Sequence, residues 1–332
     1  MHFNDIFDGC KPGADGIITI GQGKAAHEAA AQLPQAFRDK ANFPHEILHT
    51  TGMVSLHDLG DASCQAKGEF EVIAKTAFDV VKRFPSGTAI VHLGATNSNM
   101  YAPYVAAFKA QEKSCVYLPL VSDLPSLQAQ VTRATEEFPG MPTYGLHGTC
   151  EEGDDFFANI KIPCLYLYLG SRFYGVPDPL CLDRIHSFSQ NFKRTDALII
   201  SQEEPPKTDA GPVSRGKDPY MTPLYRKFVD TYLRALCAHA GIENVRPGRD
   251  FPYKAKSEGG MHYFEMTTTR DMVCTAAGYD GFTIETGTVF NMFKTWKRGA
   301  GNVVEITLDA DVNIETLGHS DKMRMNLYLI FP

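Results

Sequence analysis

Ala89-Ile90-Val91-His92-Leu93-Gly94-Ala95-Thr96-Asn97 is the stretch that decides the fold. A short apolar run ending in glycine is how the first strand of a nucleotide-binding α/β sheet meets its ligand, because glycine lets the backbone turn sharply and approach closely. The strand-end position that such turns usually give to an acid is here His92.

Reading outward, strand-like and helix-like patterns alternate. Strands are predicted at 89–93, 114–120, 143–147, 164–169 and 197–201, with helices near 101–111, 126–138, 152–159 and 179–191. That alternation predicts a doubly wound, mostly parallel sheet. Upstream, residues 17–84 read as a helical front end, with Phe70, Ile73, Ala74, Ala77, Phe78 and Val81 at helical spacing. Residues 203–220 form a Pro-, Gly- and Lys-rich loop before a helix at 223–240. Beyond Gly241 the pattern becomes strand-rich, at 262–270, 281–285, 302–307 and 322–331, interrupted by a helical-looking stretch at 289–297. Met323–Ile330 reads as a strand returning to the main sheet. The expected organisation is therefore a helical region (1–85) contributing to the cleft, a Rossmann-like α/β core (86–240), an α+β substrate-binding lobe (241–320) and the returning strand (321–332).

The chain has 332 residues, formal charge -7 and no basic cluster, so nucleic acid is not an expected partner. No apolar run approaches membrane-span length, and the N-terminus lacks a basic start and an apolar core. None of the eight cysteines forms a Cys-x-x-Cys pair, which predicts reduced thiols in a cytoplasmic protein.

Three short motifs invite chemistry. His45-Glu46-Ile47-Leu48-His49 satisfies H-E-x-x-H, two zinc-ligating histidines with a glutamate base. The third ligand of that class would fall at Ser55, His57 comes two residues late, and Pro44 and Gly52 leave room for only a short turn, so no metal is expected. Gly21-Gln22-Gly23-Lys24 lacks phosphate-loop spacing and reads as a turn. Gly148-Thr149-Cys150-Glu151-Glu152 follows the third predicted strand; its acids could hold a ribose or adenine, or favour the next helix N-terminus. Cys150 reads as structural, since no histidine is convincingly placed to activate it.

From Ile17 onward the chain resembles the histidine-specific methyltransferases of ergothioneine biosynthesis and their fungal dimethylallyltryptophan N-methyltransferase relatives. The carriers are Ile17-Ile18-Thr19-Ile20, Phe43-Pro44 through Gly52, Glu69 with Val72-Ile73, and Leu146-His147-Gly148-Thr149 with Gly153. Leu169-Gly170-Ser171, Tyr263-Phe264-Glu265-Met266 and Lys294 complete the set in the same order. The resemblance implies a class I methyltransferase-like α/β fold and S-adenosylmethionine as methyl donor.

The departures cluster where the resemblance puts chemistry. The family's E-L-G-S-G turn is His92-Leu93-Gly94-Ala95-Thr96, Met100 stands at its lysine, and its ribose-binding acid falls at Leu120 or Val121, with Asp123 able to substitute if the loop shifts. Each lost charged hydrogen bond costs on the order of 1.5–3 kcal/mol. The substrate turn T-I-G-N is Arg172-Phe173-Tyr174-Gly175, and the glutamate and serine that meet imidazole become Phe290 and Met292, while Met266 stays. Ser63-Cys64 lies near the place of the front-end tyrosines.

The resemblance thus implies a donor site of His92, Gly94, Thr96, Asp123, Gly148 and Thr149, and a substrate site of Arg172, Tyr174, Met266, Phe290 and Met292. Apolar replacements favour a small apolar or aromatic amine or amino-acid derivative over imidazole, with fungal specialised metabolism as the implied setting and a monomer as the implied state. An alternative is a family member that performs donor-independent cyclisation, isomerisation or condensation, with His49, His92 or Tyr174 as acid or base. A zinc hydrolase on His45, Glu46 and His49 is the remaining alternative.

Overall fold

The computed structural model describes residues 3–21, 24–40, 63–95, 99–205, 220–320 and 323–332. The chain divides into two compact units. One comprises Met1–Gly23, Gly60–Pro205 and Lys297–Pro332; the other comprises Lys24–Leu59 and Pro206–Trp296.

The first unit opens with α1 (Phe3–Ile6) and β1 (Ile17–Thr19); α2 (Lys24–Asp39) belongs to the second. Then come α3 (Cys64–Lys82), β2 (Thr88–Leu93), α4 (Ala102–Ala110), β3 (Cys115–Val121), α5 (Leu124–Glu137) and β4 (Gly145–His147). After them follow α6 (Cys150–Phe157), β5 (Cys164–Tyr168), α7 (Asp178–Gln190) and β6 (Ala197–Glu203). The second unit adds α8 (Pro223–His239), α9 (Pro247–Asp250), β7 (Tyr253–Glu258), β8 (Met261–Thr267), β9 (Met272–Val273), β10 (Thr283–Ile284) and β11 (Val289–Trp296). The chain then returns with α10 (Ala300–Leu308), β12 (Asn313–Ser320) and β13 (Met325–Phe331).

The main sheet runs β1-β4-β3-β2-β5-β6-β13-β12. Strands β1 through β6 pair in parallel, and β13 and β12 add antiparallel pairs at one side. Every residue of β2 and β3 is buried, as strands covered on both faces must be. Alternate side chains feed two cores: Val91, Leu118 and Tyr166 pack with Phe157, Ile185 and Val303 on one face. Ile90, Tyr117 and Leu167 pack with Ile73, Val81 and Tyr104 on the other. This is the doubly wound α/β arrangement that the alternation predicts, with a mixed rather than purely parallel sheet.

Two elements are the reverse of the sequence expectation. Residues 302–307, expected as strand, lie in α10: Val303, Ile306 and Thr307 are buried on one helical face, and this packing outweighs the strand preference of their β-branched side chains. Residues 289–297, expected as helical, form β11, because Phe290 and Met292 are buried while Val289 is exposed and Asn291 only half-buried, a period of two. The segment 241–320 is also split: its part up to Trp296 lies in the second unit, and α10 and β12 lie in the first. No helix among the described residues is long and apolar enough to cross a membrane.

Candidate active site

The carboxyl ends of β2 to β6 lie side by side, and the chain winds one way through β3 and β4 and the other through β5 and β6. The β2/β5 boundary is therefore the topological switch point, where open α/β sheets bind ligands.

At the end of β2, Gly94 takes φ +67°, and the amides of Gly94 and Ala95 both donate to the Leu120 carbonyl, at 2.9 and 3.3 Å. The turn is thus pinned to β3 in a left-handed conformation that suits glycine. His92 is only 2% exposed and turns to the Tyr117 face of the sheet, where its Nδ1 lies 3.2 Å from the Tyr117 hydroxyl. Gln130 donates to that same hydroxyl at 2.9 Å. Burial pushes the His92 pKa down to about 3, helped by the nearby charges of Arg172 and Arg133. The ring is held neutral at physiological pH, so of its two expected roles that of proton donor is disfavoured.

At the end of β3, Asp123 caps α5, accepting from the Ser126 amide at 2.9 Å and the Ser126 hydroxyl at 2.5 Å through Oδ2. Its Oδ1 makes no hydrogen bond among the described residues. At the end of β4, a Cβ on Gly148 would come within 2.6 Å of the Ile20 side chain, so only glycine fits. Thr149 is the N-cap of α6, its hydroxyl accepting from the Glu152 amide while the Glu152 carboxylate accepts from the Thr149 amide. The capping box uses the Thr149 amide and one lone pair of its hydroxyl, and leaves the hydroxyl proton to donate elsewhere.

At the end of β5, Gly170 (φ +82°) and Ser171 (φ +55°) are consecutive left-handed residues. They are held from α3, where Glu69 Oε1 accepts from the Gly170 amide at 2.6 Å and from the Ser201 hydroxyl. Glu69 is 3% exposed, and burial pushes its pKa up to about 7. Ser171 links onward: its hydroxyl accepts from the Glu203 amide at 2.8 Å, and the buried Glu203 carboxylate pairs with Lys297 at 2.6 Å and Arg324 at 3.2 Å. Neither the Glu69 clamp nor the Lys297 pair was expected from the sequence; the partners are too far apart in the chain for spacing to reveal them.

The left-handed turn swings Arg172 back across the switch point. Its Nη1 lies 2.9 Å from where a Cβ on Gly94 would stand. This places Arg172 against the glycine turn instead of on a separate substrate side. Tyr174 is a further correction: it is fully buried, and its hydroxyl bonds to that of Thr307 on α10. It belongs to the core, because Phe173 and Tyr174 fold inward together and stack edge to face.

A model of the histidine-specific, S-adenosylmethionine-dependent methyltransferase family matches residues 64–331. The chain belongs to this family. No curated protein matches the methyltransferase. Among solved structures, the CcbJ methyltransferase of Streptomyces caelestis aligns with TM-score 0.37 and 9% identity, covering 78% of this chain and 95% of that one. An S-adenosylmethionine-dependent methyltransferase of Clostridium acetobutylicum gives TM-score 0.40 and 6% identity, over 82% and 95%. The glycopeptide N-methyltransferase MtfA, in complex with S-adenosylhomocysteine, gives 0.35 and 9%, over 78% and 86%.

The edge of the methyltransferase fits its donor. Among the described residues only the flexible end of Arg172 enters the space beside Gly94, and Asp123 Oδ1 makes no hydrogen bond. His45, Glu46, His49 and Thr96 lie outside the described residues. Among the described residues, no group of three His, Cys, Asp or Glu is arranged to hold a metal.

Met266, Phe290 and Met292 lie in the second unit, at 0%, 2% and 3% exposure. Phe290 pairs with Met266 across β11 and β8, and Met292 with Phe264. Their inward faces meet Leu233 and Leu236 of α8 and Phe37 of α2, around an apolar gap of about 10 Å³, room for one water-sized body. The three residues expected on the substrate side thus share the lining of this one small gap. Alternation along the strands turns them into the core of their own unit.

Proposed function

We propose that the methyltransferase methylates a nitrogen of a small, largely apolar or aromatic amine or amino-acid derivative. The observation that carries this reading is the cradle at the switch point, where the Gly94 turn is pinned to Leu120 and flanked by Asp123 and Gly148. S-adenosylmethionine, when bound, supplies a methyl group on a positively charged sulfur, which a nitrogen lone pair attacks in line.

The chain's own work is to bind and orient. Gly94 lets backbone approach the donor, Gly148 lets Ile20 pack beneath the end of β4, and Asp123 Oδ1 accepts from a ribose hydroxyl. The family resemblance adds Thr96 to the donor side and His49 as the candidate acid or base. Holding donor and acceptor in register supplies rate by proximity and needs no covalent intermediate on the protein. His92 is a weak base for taking the amine's proton, because burial pushes its pKa down to about 3.

The family resemblance alone supports an apolar acceptor: where it puts the groups that grip imidazole, this chain has Phe290 and Met292, which carry no hydrogen-bonding side chain and are packed within their own unit. Resemblance to the fungal branch supports a place in specialised metabolism, acting as a monomer in the cytoplasm. The test is methyl transfer from labelled donor to a panel of arylalkyl amines and aromatic amino-acid derivatives set against histidine. Turnover on the panel with none on histidine is expected; turnover on histidine alone overturns the apolar assignment.

One observation favours a second reading, donor-independent chemistry in the same site: the Arg172 guanidinium already lies against the turn that the donor would cross. Failure of S-adenosylhomocysteine to bind would decide for it.

A further inference from the structure

Arg172 carries five donors on a half-buried side chain, yet among the described residues its guanidinium makes no hydrogen bond and no ion pair. Its main chain is fixed: the Arg172 carbonyl accepts from Arg184 at 3.0 Å, and Glu69 holds the preceding turn. Among the described residues no group bonds to the guanidinium, and the Glu69 carboxyl acts on it only through space. His92 is neutral, Cys150 is a thiol whose pKa burial pushes up to about 12, and the bonded oxygen of Glu69 is already taken by Gly170 and Ser201. A partly desolvated cation with unspent donors needs an anion, and a carboxylate matches the guanidinium fork with two parallel bonds.

Position selects which carboxylate. The Gly170–Ser171 turn carries Arg172 from the end of β5 to the Gly94 turn of β2, so whatever crosses Gly94 meets the guanidinium. Resting on the donor reading above, we propose that Arg172 is the receptor for the α-carboxylate of S-adenosylmethionine. The two guanidinium nitrogens donate to the two carboxylate oxygens and fix the amino-acid end of the donor over the switch point. Substrate side chains then meet a site whose charge is already balanced.

Calorimetric titration tests this with two ligands, S-adenosylhomocysteine and 5′-methylthioadenosine, which keeps the nucleoside and thioether but lacks the carboxylate. In Arg172→Gln the dissociation constant of S-adenosylhomocysteine is expected to rise roughly tenfold to a hundredfold, while that of methylthioadenosine stays unchanged. Arg172→Lys, which keeps the charge without the fork, should fall between, and both variants should keep the wild-type melting temperature within a few degrees. Undiminished binding of S-adenosylhomocysteine to Arg172→Gln overturns the assignment alone; a raised KM for an amino-acid substrate in that case would mean that the carboxylate belongs to the substrate. Equal weakening of both ligands also overturns it, as loss of shape and not of an ion pair. Failure of the wild type to bind either ligand overturns the donor reading itself.

Discussion

Replacing Glu69 by glutamine should change how stability depends on pH, and the size of the change follows from burial. The Glu69 carboxyl is 3% exposed and its pKa stands at about 7 against an ordinary 4.5, chiefly because burial penalises the charged form. A raised folded-state pKa means that this group's contribution is full below about pH 4.5 and is lost as pH rises through about 7. At 1.36 kcal/mol per unit, the loss is about 3 kcal/mol across that window. In Glu69→Gln the carbonyl oxygen still accepts from Gly170 and Ser201, but a buried amide N–H without a partner costs about 1–3 kcal/mol. The variant should therefore be the less stable protein at pH 5 and equal or more stable at pH 8. Urea unfolding followed by far-ultraviolet circular dichroism, run on both proteins at several pH values, reads the difference directly. Other titrating groups, such as Asp154 with its pKa pushed up to about 6, are common to both proteins and cancel. A stability difference that stays constant from pH 5 to pH 8 would refute the reasoning.

Three further substitutions probe the site and its support. Gly94→Ala meets a positive φ and the Arg172 guanidinium, so it should cost about 1–2 kcal/mol in thermal unfolding and weaken S-adenosylhomocysteine in calorimetry. Tyr174→Phe removes the hydroxyl bonded to Thr307; about 0.5–1.5 kcal/mol of stability should be lost with kcat and KM unchanged, and a large fall in kcat alone would return Tyr174 to the active site. Lys297→Met removes a buried partner of the Glu203 carboxylate while Arg324 still pairs with it, and should cost about 3–5 kcal/mol in denaturant unfolding.

The parallel core was legible because its strands are buried on both faces, and runs such as Ala89–Leu93 and Cys115–Leu120 need no alternation to be recognised. The lobe was less legible. Val303-Val304-Glu305-Ile306 has strand-forming residues and becomes helical only because one face of α10 packs on the sheet. β12, whose residues are mostly exposed or half-buried, has no apolar pattern to announce it and is held by backbone pairing to β13.

Site residues divided in the same way. The placement of Gly94, Gly148 and Asp123 at strand ends was legible because strand ends and glycine turns are local features. The approach of Arg172 to the Gly94 turn was not legible, since a left-handed serine after a left-handed glycine reverses the chain and sequence spacing does not show it. Tyr174, Phe290 and Met292 sit in a turn and on a strand, where one step of register decides between pocket and core. The clamp of Glu69 on Gly170 spans 101 residues and comes only from the fold.

The central claim is that the edge of β2, β3 and β4 still holds a methyl donor although His92 stands where an acid is expected. Calorimetric titration of S-adenosylhomocysteine into the purified wild-type protein tests it most directly. Saturable one-to-one binding in the micromolar range is the predicted result. No heat of binding up to millimolar ligand would contradict the account and leave donor-independent chemistry in its place.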